Sequence, residues 1–167
     1  MKGYHIQISL EGSQPLIYRK VRIPEGLTFH DLHLVVQCAM GWEDYHLYEF
    51  YCLGGKIRES AMVDSFLEDS ELIGYTYDFG DNWEHRIEVV KKLTQLAEKD
   101  SFPKVIAAKG SCPPEDCGGL WGYYELKDIL KKKRGSQYRE MVEWLGSNSI
   151  PPFDKAAANV ELKELFS

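Results

Sequence analysis

Apolar and polar residues alternate from the start of the chain. Tyr4, Ile6, Ile8 and Leu10 are separated by His5, Gln7 and Ser9, the period of two that marks a half-buried strand. Gly12 to Pro15 supplies turn residues. Leu16 to Ile23 then resumes as a second strand with Ile17, Val21 and Ile23 on one face, closed by Pro24-Glu25-Gly26. An antiparallel hairpin is expected. The period next changes: Thr28 stands three residues before Asp31, and Leu32, Val35, Val36 and Ala39 recur at helical spacing up to Gly41. That is a helix opened by a capping box and stopped by a glycine.

Alternation returns with His46, Tyr48, Phe50 and Cys52, a third strand that stops at Gly54-Gly55. Residues 56 to 72 are acidic and weakly periodic, with one helical turn expected around Met62 to Leu67. Ile73, Tyr75, Tyr77 and Phe79 share one strand face, and His85, Ile87 and Val89 share another beyond Gly80-Asp81-Asn82. The pattern predicts a second hairpin, with Gly80 or Asn82 taking positive φ at its tip. A short helix is expected near Leu93 to Lys99, and a Pro/Gly-punctuated loop at Cys112 to Gly122. Helices follow at about Tyr123 to Lys133, stopped by Gly135, and at about Gln137 to Leu145; a last one, Val160 to Phe166, is capped by Asn159.

Strands gathered ahead of helices predict an α+β fold: one domain over residues 1–167 with a largely antiparallel, β-grasp-like sheet. A helix is expected to pack across that sheet, and the C-terminal third to be mostly helical. The length suits one domain, no internal repeat or linker divides it, and the aromatic share of 13% points to an aromatic-rich core.

Charge narrows the partners. A net charge of −6 repels phosphate backbones and anionic lipid, which argues against non-specific nucleic-acid binding. The basic run Lys131 to Arg134 closes a helix, where cations suit the dipole. No stretch approaches the ~18 apolar residues of a membrane span, and the N-terminus lacks a signal-type apolar segment, so no membrane partner and a cytoplasmic location are expected. There Cys38, Cys52, Cys112 and Cys117 are read as thiols or metal ligands rather than disulfides.

Two segments carry chemistry. YDFGDNWEH (77–85) places Asp78, Asp81, Glu84 and His85 on one hairpin tip, where they could bind a divalent metal or move protons, or else bond turn amides and pack at the sheet edge. Its Asp-Phe-Gly triplet is a kinase decoy: no phosphate loop and no HRD accompany it. In CPPEDCGGLWG, Cys112 and Cys117 stand at a spacing used by paired zinc thiolates, but two thiolates make half a site. Closure of a zinc site would draw on His85, His46 or Cys52. The alternative is two buried small hydrophobes in a rigid loop. A reactive cysteine would want a histidine or a helix N-terminus beside it; Cys117 lies just ahead of a helix start that could lower its pKa, a proximity the sequence does not establish. His5, His30 and His33 read as surface or structural. Trp42, Trp83, Trp121 and Trp144 belong by default to the core, with an aromatic ligand groove as the alternative.

Three segments in order, LTFHDLHLVVQCAMGWEDYHLYEF (27–50), YTYDFGDNWEHRIEV (75–89) and CPPEDCGGLWGYYEL (112–126), resemble the plasmid pRiA4b Orf-three-like family. Tyr18 and Lys20 depart from it, standing where the family has tryptophan and arginine, and the segment after Gly55 is short. The resemblance implies association with plasmids or mobile elements, supplies no reaction, and implies that the hairpin tip and the cysteine loop form one feature. A recombinase's serine or tyrosine context and its basic surface are absent.

The expected function is therefore a cytosolic binding or accessory module with no complete catalytic constellation. It would present Asp78, Asp81, Trp83, His85, Glu115, Asp116 and Trp121 to a protein or small-molecule partner, with Cys112, Cys117 and His85 as candidate zinc ligands. The alternative is a metal-dependent hydrolase or nuclease using the acidic residues and histidine of the same two segments.

Overall fold

The computed structural model describes residues 1–167. The first hairpin joins β1 (Gly3–Leu10) to β2 (Tyr18–Pro24) with Ile6 opposite Val21. Helix α1 (Phe29–Met40) has the expected ends: the Thr28 hydroxyl accepts from Asp31 N at 3.1 Å, and the Asp31 carboxylate accepts from Thr28 N at 2.9 Å. Gly41 closes it at φ 108, a conformation open to glycine without a Cβ penalty.

β3 (Tyr48–Cys52) turns directly into a three-residue strand, β4 (Gly55–Ile57), and α2 (Asp64–Glu68) follows as the single helical turn expected there. The second hairpin is β5 (Ile73–Tyr77) and β6 (Trp83–Leu93), with Tyr77 opposite Trp83. β6 runs on through Leu93, and Glu98–Asp100 forms only a 3₁₀ turn, so the helix expected at Leu93 to Lys99 is replaced by strand and loop. Beyond Pro103 lies a further strand, β7 (Lys104–Lys109). Helices α3 (Gly119–Lys132), α4 (Ser136–Leu145) and α5 (Lys155–Phe166) complete the chain.

The sheet has seven strands in the order β4-β3-β5-β6-β1-β2-β7, antiparallel at every pairing. One face is apolar: Ile6, Ile8, Leu10, Val21, Ile23, Phe50, Tyr75 and Ile87 are buried, together with Leu32, Val35, Val36 and Ala39 of α1. These belong to one cluster of 28 buried residues, which is the helix-over-sheet packing the periodicities called for.

Arg19 sits in that apolar row between Ile17 and Val21 and is fully buried. Its Nε donates to Ala39 O at 2.7 Å, Nη2 to Met40 O at 3.2 Å and Nη1 to Lys109 O at 3.0 Å, and its guanidinium lies 4.0 Å over the Phe153 ring. It thus satisfies the last carbonyls of α1, a helix end with no basic residue of its own.

α5 begins earlier than expected, with the Asp154 carboxylate accepting from Ala157 N at 3.0 Å. Asn159 is therefore not a cap. Its amide reaches edge strand β7, accepting from Val105 N at 2.7 Å and donating to Val105 O at 3.1 Å. α4, with no buried residue, rides on the surface. No helix is long and apolar enough to cross a membrane.

Candidate functional site

The tip of the second hairpin is built around Asp78, which takes a left-handed conformation (φ 61). One carboxylate oxygen accepts from Gly80 N at 3.0 Å and Asp81 N at 3.3 Å, an Asx turn, while Asn82 at φ 59 completes the reversal. Positive φ thus falls on Asp78 and Asn82 rather than on Gly80, because the side-chain bonds of Asp78 stabilise what glycine would permit. The early turn also throws Phe79 off the strand face, leaving it 52% exposed instead of packed beside Tyr77.

The cysteine loop docks on this tip. Asp81 Oδ2 accepts from Gly118 N at 3.2 Å. Gly119, at φ 73, lies so close that a Cβ there would stand 2.7 Å from Asp81 O. Gly119 is required twice over, for its backbone conformation and for the approach it allows, and Gly118, at φ 98, for its conformation alone. Asp116 shares the left-handed region at φ 60.

Between tip and loop enters His46, on the segment joining α1 to β3. Its Nε2 lies 2.7 Å from Asp116 Oδ1, 3.5 Å from Asp78 Oδ2 and 3.9 Å from Glu115 Oε1. Glu115 is fixed from behind: its Oε2 accepts from Glu43 N and from Tyr77 OH, each at 2.9 Å, while the buried Oε1 finds no hydrogen-bond partner. Burial raises the Glu115 pKa above the ordinary carboxyl value. Burial works against the His46 cation, but Asp78, Asp116 and Glu115 outweigh it and hold that pKa above its usual value.

Of the side chains singled out in the sequence, Asp78, Asp81, Glu115 and Asp116 meet in this one region. Trp121, two residues beyond the glycine seated on Asp81, is 88% exposed. Trp83 and His85 lie inside the protein. The Trp42 indole N–H donates to His85 Nε2 at 3.0 Å, so Nδ1 carries the ring proton and faces Trp83 O at 2.9 Å. Burial pushes the His85 pKa down to about 4. With both nitrogens engaged, His85 does not join the cysteines.

His46, Asp78 and Asp116 form the one group of three metal-type side chains whose donor atoms lie within 4.8 Å of one another, and it contains no thiol. All four cysteines are free thiols. Burial pushes Cys117 up to about 12 and Cys112 well above its ordinary value, so the start of α3 two residues beyond Cys117 does not hold its thiol below the usual range. His33 is structural, bonded to Tyr75 OH at 2.7 Å and Asp44 at 2.8 Å and stacked 3.6 Å from the Tyr48 ring.

Tyr45 and Leu47, which flank His46 in the chain, were not singled out by sequence reasoning; they are 66% and 74% exposed. The signal for them was local: two large apolar residues at the outward-facing parity, alternating with His46 and Tyr48, just ahead of the strand that begins at Tyr48. They are held beside the site by Tyr45 N donating to Tyr77 OH and Asp78 N donating to Leu47 O, each at 2.9 Å.

The family described as plasmid pRiA4b ORF-3-like protein matches residues 2–162. A relative from Sinorhizobium fredii (strain NGR234), called uncharacterized protein y4hQ, is 34% identical over 169 residues, covering 92% of this chain and 84% of the relative. The crystal structure of MM3350, a protein of unknown function from Methanosarcina mazei Go1, is similar with a TM-score of 0.83 and 36% identity, covering 93% of this chain and 96% of that one.

Proposed function

As the chain belongs to the plasmid pRiA4b ORF-3-like family, and neither relative named above is described by an activity, we propose a function from the site alone: a non-enzymatic binding module for an amphipathic ligand. The ligand would lay its apolar part on Tyr45, Leu47, Phe79 and Trp121 and turn one polar group toward His46 and Glu115. The observation that supports this is the placement of four large exposed apolar side chains on the three segments that carry His46, Asp78 and Glu115. Large apolar groups left in water around a polar floor are the usual composition of a recognition surface. A plasmid or mobile-element setting rests on the family's name, and a cytoplasmic one is supported by four cysteines that remain unpaired.

The test is a thermal-shift screen of small aryl and alkyl amphiphiles, followed by calorimetry on Leu47→Ser and Trp121→Ala. Both side chains are exposed, so melting temperatures should hold, while affinity for a hit should fall about tenfold or more in each variant. Hits indifferent to both variants, or consumed by the protein, would count against a binding module.

A second reading, a metal-dependent hydrolase, is favoured by the clustering of His46, Asp78 and Asp116. Asp81 and His85, expected among its ligands or bases, are occupied with Gly118 N and Trp42. Metal-dependent turnover of an ester or phosphoester, lost in Asp78→Asn, would favour this reading over the first.

A further inference from the structure

Resting on the reading of this face as a ligand-binding surface, we propose that His46, Asp78 and Asp116 hold a first-row divalent cation, Mn²⁺ or Zn²⁺, with Glu115 supplying a further oxygen at its edge. The cation would then make the ligand's polar group an anion, a carboxylate or phosphate that completes the coordination.

The spacing suits this. Ligand atoms placed 2.0–2.2 Å from a shared ion stand roughly 3 to 4.3 Å from one another; of those facing His46 Nε2, Asp78 Oδ2 at 3.5 Å and Glu115 Oε1 at 3.9 Å already lie in that range, while Asp116 Oδ1, now paired with the imidazole at 2.7 Å, would shift outward by a few tenths of an ångström. The orientation is built in from behind. Asp78 commits Oδ1 to Gly80 N and Asp81 N and leaves Oδ2 toward His46; Glu115 commits Oε2 to Tyr77 and Glu43 and leaves Oε1 free. Fixing a carboxylate through its outer oxygen is how a protein prepares it as a ligand.

Glu115 makes the case independently of the acidic cluster. Its side chain is 10% exposed, and Oε1 is a buried acceptor with no donor, aimed toward the imidazole. An acceptor desolvated and left unpaired destabilises the fold, and a cation at the centre of these groups removes that cost. Three carboxylates around one imidazole also leave the recess negative, which favours a dication over an anionic or neutral occupant. One nitrogen with several hard oxygens suits Mn²⁺ or Zn²⁺ better than a soft, thiol-seeking ion. The side chains of Asp116, 61% exposed, and His46, 30% exposed, leave the outer side open to the apolar rim.

The experiment is titration of chelator-treated, dialysed full-length protein with Mn²⁺ followed by the electron paramagnetic resonance signal of free Mn²⁺, and with Zn²⁺ by calorimetry. The variants are Asp116→Asn, Glu115→Gln and the double Cys112→Ser, Cys117→Ser. Asp116→Asn keeps a residue tolerant of the left-handed conformation, so its metal-free melting temperature should match the parent's. The expected result is one ion per chain, weakened at least about tenfold by Asp116→Asn and by Glu115→Gln, and unchanged in the cysteine double variant. No bound ion, or an ion insensitive to Asp116→Asn and lost with the cysteines, would overturn the proposal. Loss of amphiphile binding in Leu47→Ser and Trp121→Ala without any bound ion would overturn the cation while leaving the binding surface standing.

Discussion

Acidification from pH 7 to pH 5 should weaken the folded state by about 2 kcal/mol through one side chain, His85. In an unfolded chain its imidazole takes a proton near pH 6.5. In the fold it is enclosed, its Nε2 receives the Trp42 N–H, and burial pushes the pKa down to about 4. A base with a depressed folded-state pKa is neutral when folded and charged when unfolded across the interval between the two values. Its stabilising contribution is therefore full above about pH 6.5 and is lost as pH falls toward 4. Each pH unit inside that window is worth about 1.4 kcal/mol, so the 1.5 units between 6.5 and 5 give the stated figure. Urea denaturation at pH 7 and pH 5, followed by far-ultraviolet circular dichroism, measures it on the parent and on His85→Gln. Glutamine can still accept the Trp42 N–H but does not titrate. His33, also held below its usual value by burial, titrates in both proteins and cancels in the difference. The variant should be less stable at pH 7 yet lose about 2 kcal/mol less on acidification. Parallel losses in the two proteins, or an NMR titration of His85 centred near 6.5, would refute the reasoning.

Gly119→Ala combines a strained backbone at φ 73 with a Cβ 2.7 Å from Asp81 O; it should cost about 2–4 kcal/mol by urea denaturation. Gly135→Ala, at φ 96 and ψ 170 with nothing within 4 Å, should carry only the backbone strain, about 1–3 kcal/mol. Arg19→Met strands the buried carbonyls of Ala39, Met40 and Lys109 and should cost about 3 kcal/mol or more. Arg19→Lys keeps the charge but not the fork, and its denaturation midpoint should fall between parent and Met variant.

What could be read from the sequence was what neighbouring residues decide among themselves. Thr28, Asp31 and Gly41 mark the ends of α1 because caps are local, and the dyads around Gly80-Asp81-Asn82 announce a hairpin because register is local too. β4 has too few residues to display a period. β7 carries a single fully buried residue, Val105, and owes its strand state to β2 on one side and Asn159 on the other. Arg19 broke an apolar row, and only the end of α1 arriving above it explains why a cation is tolerated there. In the site, the carboxylates were visible in their two segments, but His46 gains its place from the docking of the cysteine loop, which chain order does not encode. His85 looked like surface chemistry because histidine beside acids usually is; its partner Trp42 lies 43 residues away.

Asn159 has a consequence for how copies of this chain meet. An open sheet ends in strands whose bare amides can recruit a second molecule and seed fibril growth. One end here, β4, offers three residues, too short a template to hold an incoming strand. At the other, the carboxamide of Asn159 mimics a neighbouring peptide bond and occupies a rung of the ladder at Val105. The last helix thus guards against self-templated polymerisation, a safeguard that truncation before it would remove.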